Sequence, residues 1–126
     1  SGEFKRLFGE SVGNDSTSRL ATCEKFAKKH SLTVLLKGQE DIITNGEISY
    51  TNSTNCPCMT VGGTGDVLSG LVAGFLSRNK NMIEAVSAAT FVNGMAGELL
   101  QKEVGNHMLA SDLISKLPTI LNSFDN

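Results

Sequence analysis

The stretch that most restricts this chain is Met59-Thr60-Val61-Gly62-Gly63-Thr64-Gly65-Asp66-Val67-Leu68-Ser69-Gly70. Three glycines fall within four positions, and an aspartate and an apolar run follow. Val67, Leu68, Leu71, Val72, Phe75 and Leu76 recur at the spacing of one helix face, which predicts a helix starting near Thr64 or Gly65. The first turn of such a helix carries N–H groups without intrahelical acceptors, and the helix dipole adds partial positive charge there. Together these make an anion site, and glycines let a phosphate reach the main chain with no Cβ in the way. Asp66 would then sit beside the anion. A carboxylate in that position is electrostatically unfavourable unless it has a task, and handling a proton is the obvious one. A plainer alternative stays open: glycines often precede helices, and an acidic residue in a first turn also stabilises the dipole. The segment is not a P-loop, which needs Lys then Ser/Thr after the last glycine. Nor is it G-x-G-x-x-G, because Leu68 stands where the third glycine belongs.

A chain of 126 residues is expected to form a single domain with a real core. Its 40% apolar and 19% charged residues are those of an ordinary globular protein. A net charge of −2 gives no electrostatic reason to expect nucleic acid or an anionic membrane as partner. No apolar run approaches the length of about 18 residues that a membrane helix needs. The opening Ser-Gly-Glu-Phe lacks Met and reads as a cut end or an expression remnant. Cys23, Cys56 and Cys58 are few and odd in number, which fits free thiols in a reducing cytoplasm better than a disulfide scaffold. Cys56-Pro57-Cys58 hints at a metal site, but neither histidine offers a matching ligand spacing.

Taken in order, Glu3 to Phe8 reads as a short helix. Ser16 is a candidate N-cap for a second helix running to about His30, burying Leu20, Cys23, Phe26 and Ala27. Leu32-Thr33-Val34-Leu35-Leu36 is a continuous apolar run, the pattern of a strand buried on both faces in a parallel sheet. Lys37 and Gly38 lie at its carboxyl end, where open α/β sheets place ligands; Lys37 is either a phosphate partner or a solvated lysine. Asp41 to Tyr50 predicts a hairpin turning at Asn45-Gly46 in a type I′ turn. Asn81 with Glu84 resembles a capping box for a long helix that buries Ile83, Val86, Ala89, Val92, Met95, Ala96 and Leu99. Asn93, beside Gly94, faces either solvent or a ligand cavity. Ser111 is expected to cap a last helix, interrupted or restarted at Pro118, with Leu113, Leu117, Leu121 and Phe124 inward.

With these pieces laid out, the chain resembles the carboxyl-terminal half of the ribokinase-like superfamily, and within it the ATP/ADP-dependent NAD(P)H-hydrate dehydratases. The resembling residues are Gly2-Glu3-Phe4 with Leu7, Val34-Leu35-Leu36-Lys37-Gly38, Asp41, and Met59 through Leu68. Val92 through Glu98, Ala110-Ser111-Asp112-Leu113-Ile114 and Leu117-Pro118 complete the match. The resemblance implies a partial ribokinase-like α/β fold: a parallel strand, a β-hairpin, then helices packed on the sheet. It implies a repair enzyme that uses ATP or ADP, with Mg2+, to dehydrate the hydrated form of NADH or NADPH. Asp66 would be the base, and Gly62, Gly63, Thr64 and Gly65 the anion hole. Lys37, Gly38, Gln39, Glu40, Asp41 and Asn93 match nucleotide contacts.

Family members are roughly twice this length, so much of the substrate pocket has no counterpart here. No histidine stands before Gly2 where the family has one. The implied chain is a fragment, a split half or a homo-oligomer, because a parallel sheet would otherwise be left uncovered. Two alternatives differ in kind: a ribokinase-like kinase acting on a vitamin-precursor alcohol, and a non-catalytic nucleotide-binding fragment.

Overall fold

A computed structural model describes residues 2–125. The chain divides into two compact units, residues 1–53 and 54–126.

The first unit runs α1 (Gly2–Phe8), α2 (Ser16–His30), β1 (Val34–Leu36), β2 (Asp41–Thr44) and β3 (Ser49–Asn52). The cap of α2 falls one residue before the expected Ser16. The Asp15 carboxylate accepts the Ser18 N–H at 2.9 Å and the Ser18 hydroxyl as well, a tighter arrangement than serine alone provides. Cys23, Phe26 and Ala27 are buried as expected, and Leu20 packs at the margin. Phe26 meets Phe4 edge-on at 5.3 Å between ring centroids, so the aromatic side of α1 closes on α2.

The sheet has the order β1-β2-β3 and is antiparallel throughout, which corrects the expectation of a parallel strand. Only residues 37–40 join β1 to β2, far too few for the crossover a parallel pair requires. The strand buried along its whole length is β2, with Asp41, Ile42, Ile43 and Thr44 all inside; Val34 and Leu35 of β1 are half-buried. β1 is an edge strand. The hairpin forms as expected, but its turn centres on Gly46-Glu47, one residue later than a type I′ turn would place it. Asn45 N–H bonds Ile48 O at 3.2 Å, and of these residues only Gly46 has positive φ (88°). Asn45 Oδ1 accepts the amides of Glu47 and Ile48 at 3.0 and 2.8 Å, holding that loop without left-handed backbone at Asn45.

The second unit holds a 3-10 turn (Pro57–Thr60) and three helices, α3 (Thr64–Arg78), α4 (Met82–Val104) and α5 (Ala110–Asn122). α4 packs against both α3 and α5, and its buried side is nearly continuous from Ile83 to Leu100. Asn81 makes no side-chain cap; instead Asn79 Oδ1 accepts the Asn81 N–H at 2.9 Å. The N-cap of α5 is Leu109, two residues before the expected Ser111, and the Leu109 N–H donates to Asp112 Oδ2 at 2.8 Å. Pro118 does not break α5. Ile114, whose carbonyl loses its usual partner, is exposed to water, while Leu113 and Ile120 anchor the opposite side. Phe124, expected inward, is 55% exposed beyond the helix end. Cys56 and Cys58, expected as free thiols, are joined in a disulfide with Cα atoms 5.2 Å apart, and both are buried in the core of this unit. Cys23 is free, and burial pushes its thiol pKa up. Among the described residues no helix is long and apolar enough to cross a membrane.

Backbone contact inside the second unit sets one testable contrast. A Cβ on Gly94 would collide with the Thr54 carbonyl, which is main chain and cannot step aside; on Gly97 it would meet the Met59 side-chain sulfur, which can. Gly94→Ala should lower the unfolding free energy by about 3 kcal/mol in urea denaturation. Gly97→Ala should stay within about 1 kcal/mol of the parent, since Met is adaptable and alanine favours helix. A second prediction concerns pH. Hydrogen bonds from the Ser18 side chain and backbone hold the Asp15 pKa below its ordinary value, so the charged form belongs to the folded state. Its stabilisation is complete above about pH 4 and is lost as pH falls through the depressed folded value. Asp15→Ala should therefore lower Tm at pH 7, and the gap between variant and parent should close progressively in melts taken below about pH 4.

Candidate nucleotide and proton-transfer site

The glycine segment delivers the helix start that its spacing predicts. Gly63 is the N-cap of α3 at φ 92°, and a Cβ there would also press within 3.1 Å of the Ala110 Cβ. Glycine is therefore required at that position on two counts, conformation and space. The amides of Asp66 and Val67 both reach back to Gly63 O, at 3.1 and 3.2 Å. Those of Thr64 and Gly65 precede the first intrahelical acceptor, as in any α-helix.

Thr64 fixes this turn from inside. It is only 7% exposed, and its hydroxyl proton is shared between Met59 O at 3.0 Å and Val61 O at 3.1 Å. The segment entering the loop and the helix leaving it are thus tied by one buried hydroxyl, which turns Thr64 inward and leaves its neighbours outside. Gly62, Gly65 and Asp66 are exposed. A Cβ on Gly62 or Gly65 would meet nothing within 4 Å, so neither glycine is demanded by the packing of this chain. Among the described residues the Asp66 carboxylate has no hydrogen-bond or ion-pair partner, and it stands in the first turn of α3. The arrangement offers a main-chain donor cluster with an unengaged acid beside it.

Asn93 lies on α4, which packs against α3. The residues alone leave solvent and a ligand cavity both open for it. It is 1% exposed, and its Oδ1 has no partner. A buried amide oxygen left unpaired costs on the order of 1–3 kcal/mol, so it is a ready acceptor for a donor that the chain does not supply.

The other candidate segment belongs to the first unit and splits into two faces. Lys37 lines a cleft with Glu3, Phe4, Leu7 and Phe8. Gln39 and Glu40 line a different cavity, together with Arg19 of α2. Asp41 points into the fold: it is 3% exposed, and its carboxylate accepts the Gly38 N–H at 3.0 Å and an Asn52 side-chain N–H at 3.4 Å. It shapes the loop from beneath. Arg19 escaped the sequence reading, because an arginine in the first turns of a helix looks like part of the solvated face; its position 18 residues before Lys37 holds no local signal. Among the described residues no group of three or more His, Cys, Asp or Glu side chains is placed to hold a metal ion.

Comparison with known proteins covers nearly the whole chain. A family profile described as NAD(P)H-hydrate dehydratase matches residues 1–119. The chain is 51% identical, over 98% of its length, to the ADP-dependent (S)-NAD(P)H-hydrate dehydratase of Nitrosopumilus maritimus strain SCM1, and spans 43% of that protein. It is 45% identical to the bifunctional NAD(P)H-hydrate repair enzyme of Pyrobaculum aerophilum, spanning 25% of it. Among solved structures, the ADP/ATP-dependent NAD(P)H-hydrate dehydratase of Bacillus subtilis, co-crystallised with ATP and Mg2+, superposes with a TM-score of 0.90 at 29% identity. That match takes in 98% of this chain and 46% of the other. A ribokinase-like superfamily protein of Enterococcus faecalis superposes at 0.82 with 26% identity. The chain thus spans less than half of these relatives. Its α/β architecture is that of the ribokinase-like fold, and it belongs to the NAD(P)H-hydrate dehydratase family.

Proposed function

We propose that this chain carries the phosphate-binding loop and the catalytic acid–base residue of an ATP- or ADP-dependent dehydratase acting on hydrated NADH or NADPH. The observation that carries the reading is the start of α3: exposed glycines Gly63 and Gly65 on either side of Thr64, first-turn amides with no intrahelical acceptor, an open approach over Gly62 and Gly65, and the unengaged Asp66 carboxylate alongside. The relatives named above are dehydratases or repair enzymes, and one of them was crystallised with ATP and Mg2+. A stable-product kinase of the same fold finds no such support.

Hydroxide leaves the nicotinamide ring poorly, and a phosphate ester leaves well. Asp66 removes the proton of the ring hydroxyl as the terminal phosphoryl group of the nucleotide arrives. The amides of Gly63 to Gly65 meet the charge that develops on that group. The C–O bond to the phosphate then breaks, the adjacent ring carbon gives up a proton to solvent, and the electron pair left behind forms the ring double bond. Magnesium, bound with the nucleotide, would neutralise charge on its phosphates; among the described residues no group of His, Cys, Asp or Glu side chains forms a dedicated cage for it. Gln39, Glu40 and Gly38 hold the nucleotide, while Asp41 acts by shaping their loop. Asn93 Oδ1 accepts a hydrogen bond from the ligand. The 126 residues act as the carboxyl-terminal portion of a single ribokinase-like domain. The free edge of β1 is covered by a complementing amino-terminal half or by a second copy of the chain. The compartment is the cytoplasm, where nicotinamide nucleotides and ADP are held.

Two experiments test the reading. Asp66→Asn should reduce ADP-dependent loss of the hydrate, followed by absorbance in the enzyme that contains this chain, by about 10²–10⁴-fold. ADP affinity should be unchanged or slightly better, because a negative charge near the phosphates has gone. Undiminished turnover would remove Asp66 from the chemistry. Gly62→Ala and Gly65→Ala, which meet open space, should leave stability within about 0.5 kcal/mol by thermal melting. Each should nonetheless weaken ADP binding about tenfold or more by calorimetry, since the new methyl occupies the phosphate's approach. Equal affinity in all three proteins would count against the loop.

A further inference from the structure

Arg19 stands out among the described cations for a buried side-chain donor that nothing accepts from. The ion pairs seen among the described residues are Lys25–Glu10 and Lys116–Glu103, and Arg19 is in neither. Of its five N–H donors, one makes a long 3.4 Å hydrogen bond to Lys37 O. Its Nε is buried and has no partner. The guanidinium lies directly over Gly38, where any side chain would collide with its terminal nitrogens. That placement sets it on the wall of a cavity of about 170 Å³, lined also by Asn14, Ser16, Gln39, Glu40 and Ile42.

Lys37, the obvious cation by sequence, does not line this cavity; it lines the separate cleft with Phe4 and Leu7. A guanidinium with unspent donors in a half-enclosed pocket is suited to an oxyanion, which it can meet with two parallel hydrogen bonds. The carboxylate of Glu40 on the same wall stays outside ion-pair distance of Arg19, free to accept from a sugar hydroxyl. The cavity is large enough for a phosphate group and too small for a whole nucleotide.

We propose that Arg19 is a nucleotide-binding residue, supplying the cation that meets a phosphate oxygen of ADP or ATP in the cavity it shares with Gln39 and Glu40. This rests on the reading of the Gly38–Glu40 segment as part of the nucleotide site. Free inorganic phosphate presents the same chemistry, so the test must tell the two sources apart.

The test follows the Arg19 Nε–H signal of the chain by ¹⁵N NMR during titration with ADP, inorganic phosphate and adenosine, alongside the amide signals of Gly63 to Gly65. The expected result is a saturable shift of Arg19 Nε–H with ADP, a much weaker response to phosphate, and none to adenosine. Arg19→Met should weaken ADP binding about tenfold, Lys37→Met by less than about threefold, and Arg19→Lys should recover part of the loss. A dispersed spectrum for each variant establishes that it is folded. Equal affinity for phosphate and ADP would overturn the nucleotide assignment in favour of a free-phosphate site. An equal shift with adenosine would overturn the oxyanion. Response of the Gly63–Gly65 amides to ADP with Arg19 Nε–H unmoved would overturn this inference while leaving the proposed function standing. If neither group of signals responds to ADP, both readings fall.

Discussion

The buried hydroxyl of Thr64 is the contact on which the rest of the candidate chemistry depends. With its single proton it ties the carbonyls of Met59 and Val61, and so fixes where the incoming chain ends and α3 begins. Gly63 makes that junction possible by turning through positive φ against Ala110, a position closed to any other residue without strain. The outcome is a division of labour along four consecutive residues. Thr64 spends its side chain on the fold, and the residues on either side keep their main chain and the Asp66 carboxylate for solvent or ligand. Preorganised donors of this kind are useful because the cost of orienting them is met during folding and not at the moment of reaction.

A similar division appears in the β1–β2 connection of the first unit. Asp41 is committed inward, to Gly38 N–H and Asn52. Arg19 braces the same four-residue loop from the helix side, through Lys37 O. Between these two charged groups the main chain at Gly38 has little freedom, and Gln39 and Glu40 are presented at the tip. Charges at both ends of a loop usually suggest two ligand contacts. Here Asp41 is turned into the fold, and the cation that lies over Gly38 comes from another element altogether.

How much was legible in the sequence follows from which interactions are local. The helix at Thr64, the hairpin around Gly46 and the apolar faces of α2 and α4 rest on spacing and on single-residue backbone preferences, so they could be read directly. Cap positions differ from the expected serines, by one residue at Asp15 and by two at Leu109, where the carboxylates of Asp15 and Asp112 reach free amides. The run Leu32–Leu36 predicts a strand of a parallel sheet, because continuous apolar runs are the mark of strands buried on both faces. The three-strand antiparallel arrangement instead follows from the brevity of its connection, and burial on both faces falls to β2. Pro118 predicts an interruption or restart of the last helix, yet α5 continues because the lost hydrogen bond falls on an exposed turn.

By itself the sequence determined most of the elements and the helix start at the glycine loop, since both depend on residues a few positions apart. It also carried the family, through motifs dispersed in a fixed order over the chain. Tertiary structure alone decided which side chains face outward. Asn93 is buried with an unpaired oxygen, Asp41 is turned into the fold, and Arg19 stands over Gly38 beside residues 20 positions further along. Those facts arise from packing between distant segments, where burial, and not local preference, sets the direction of each side chain.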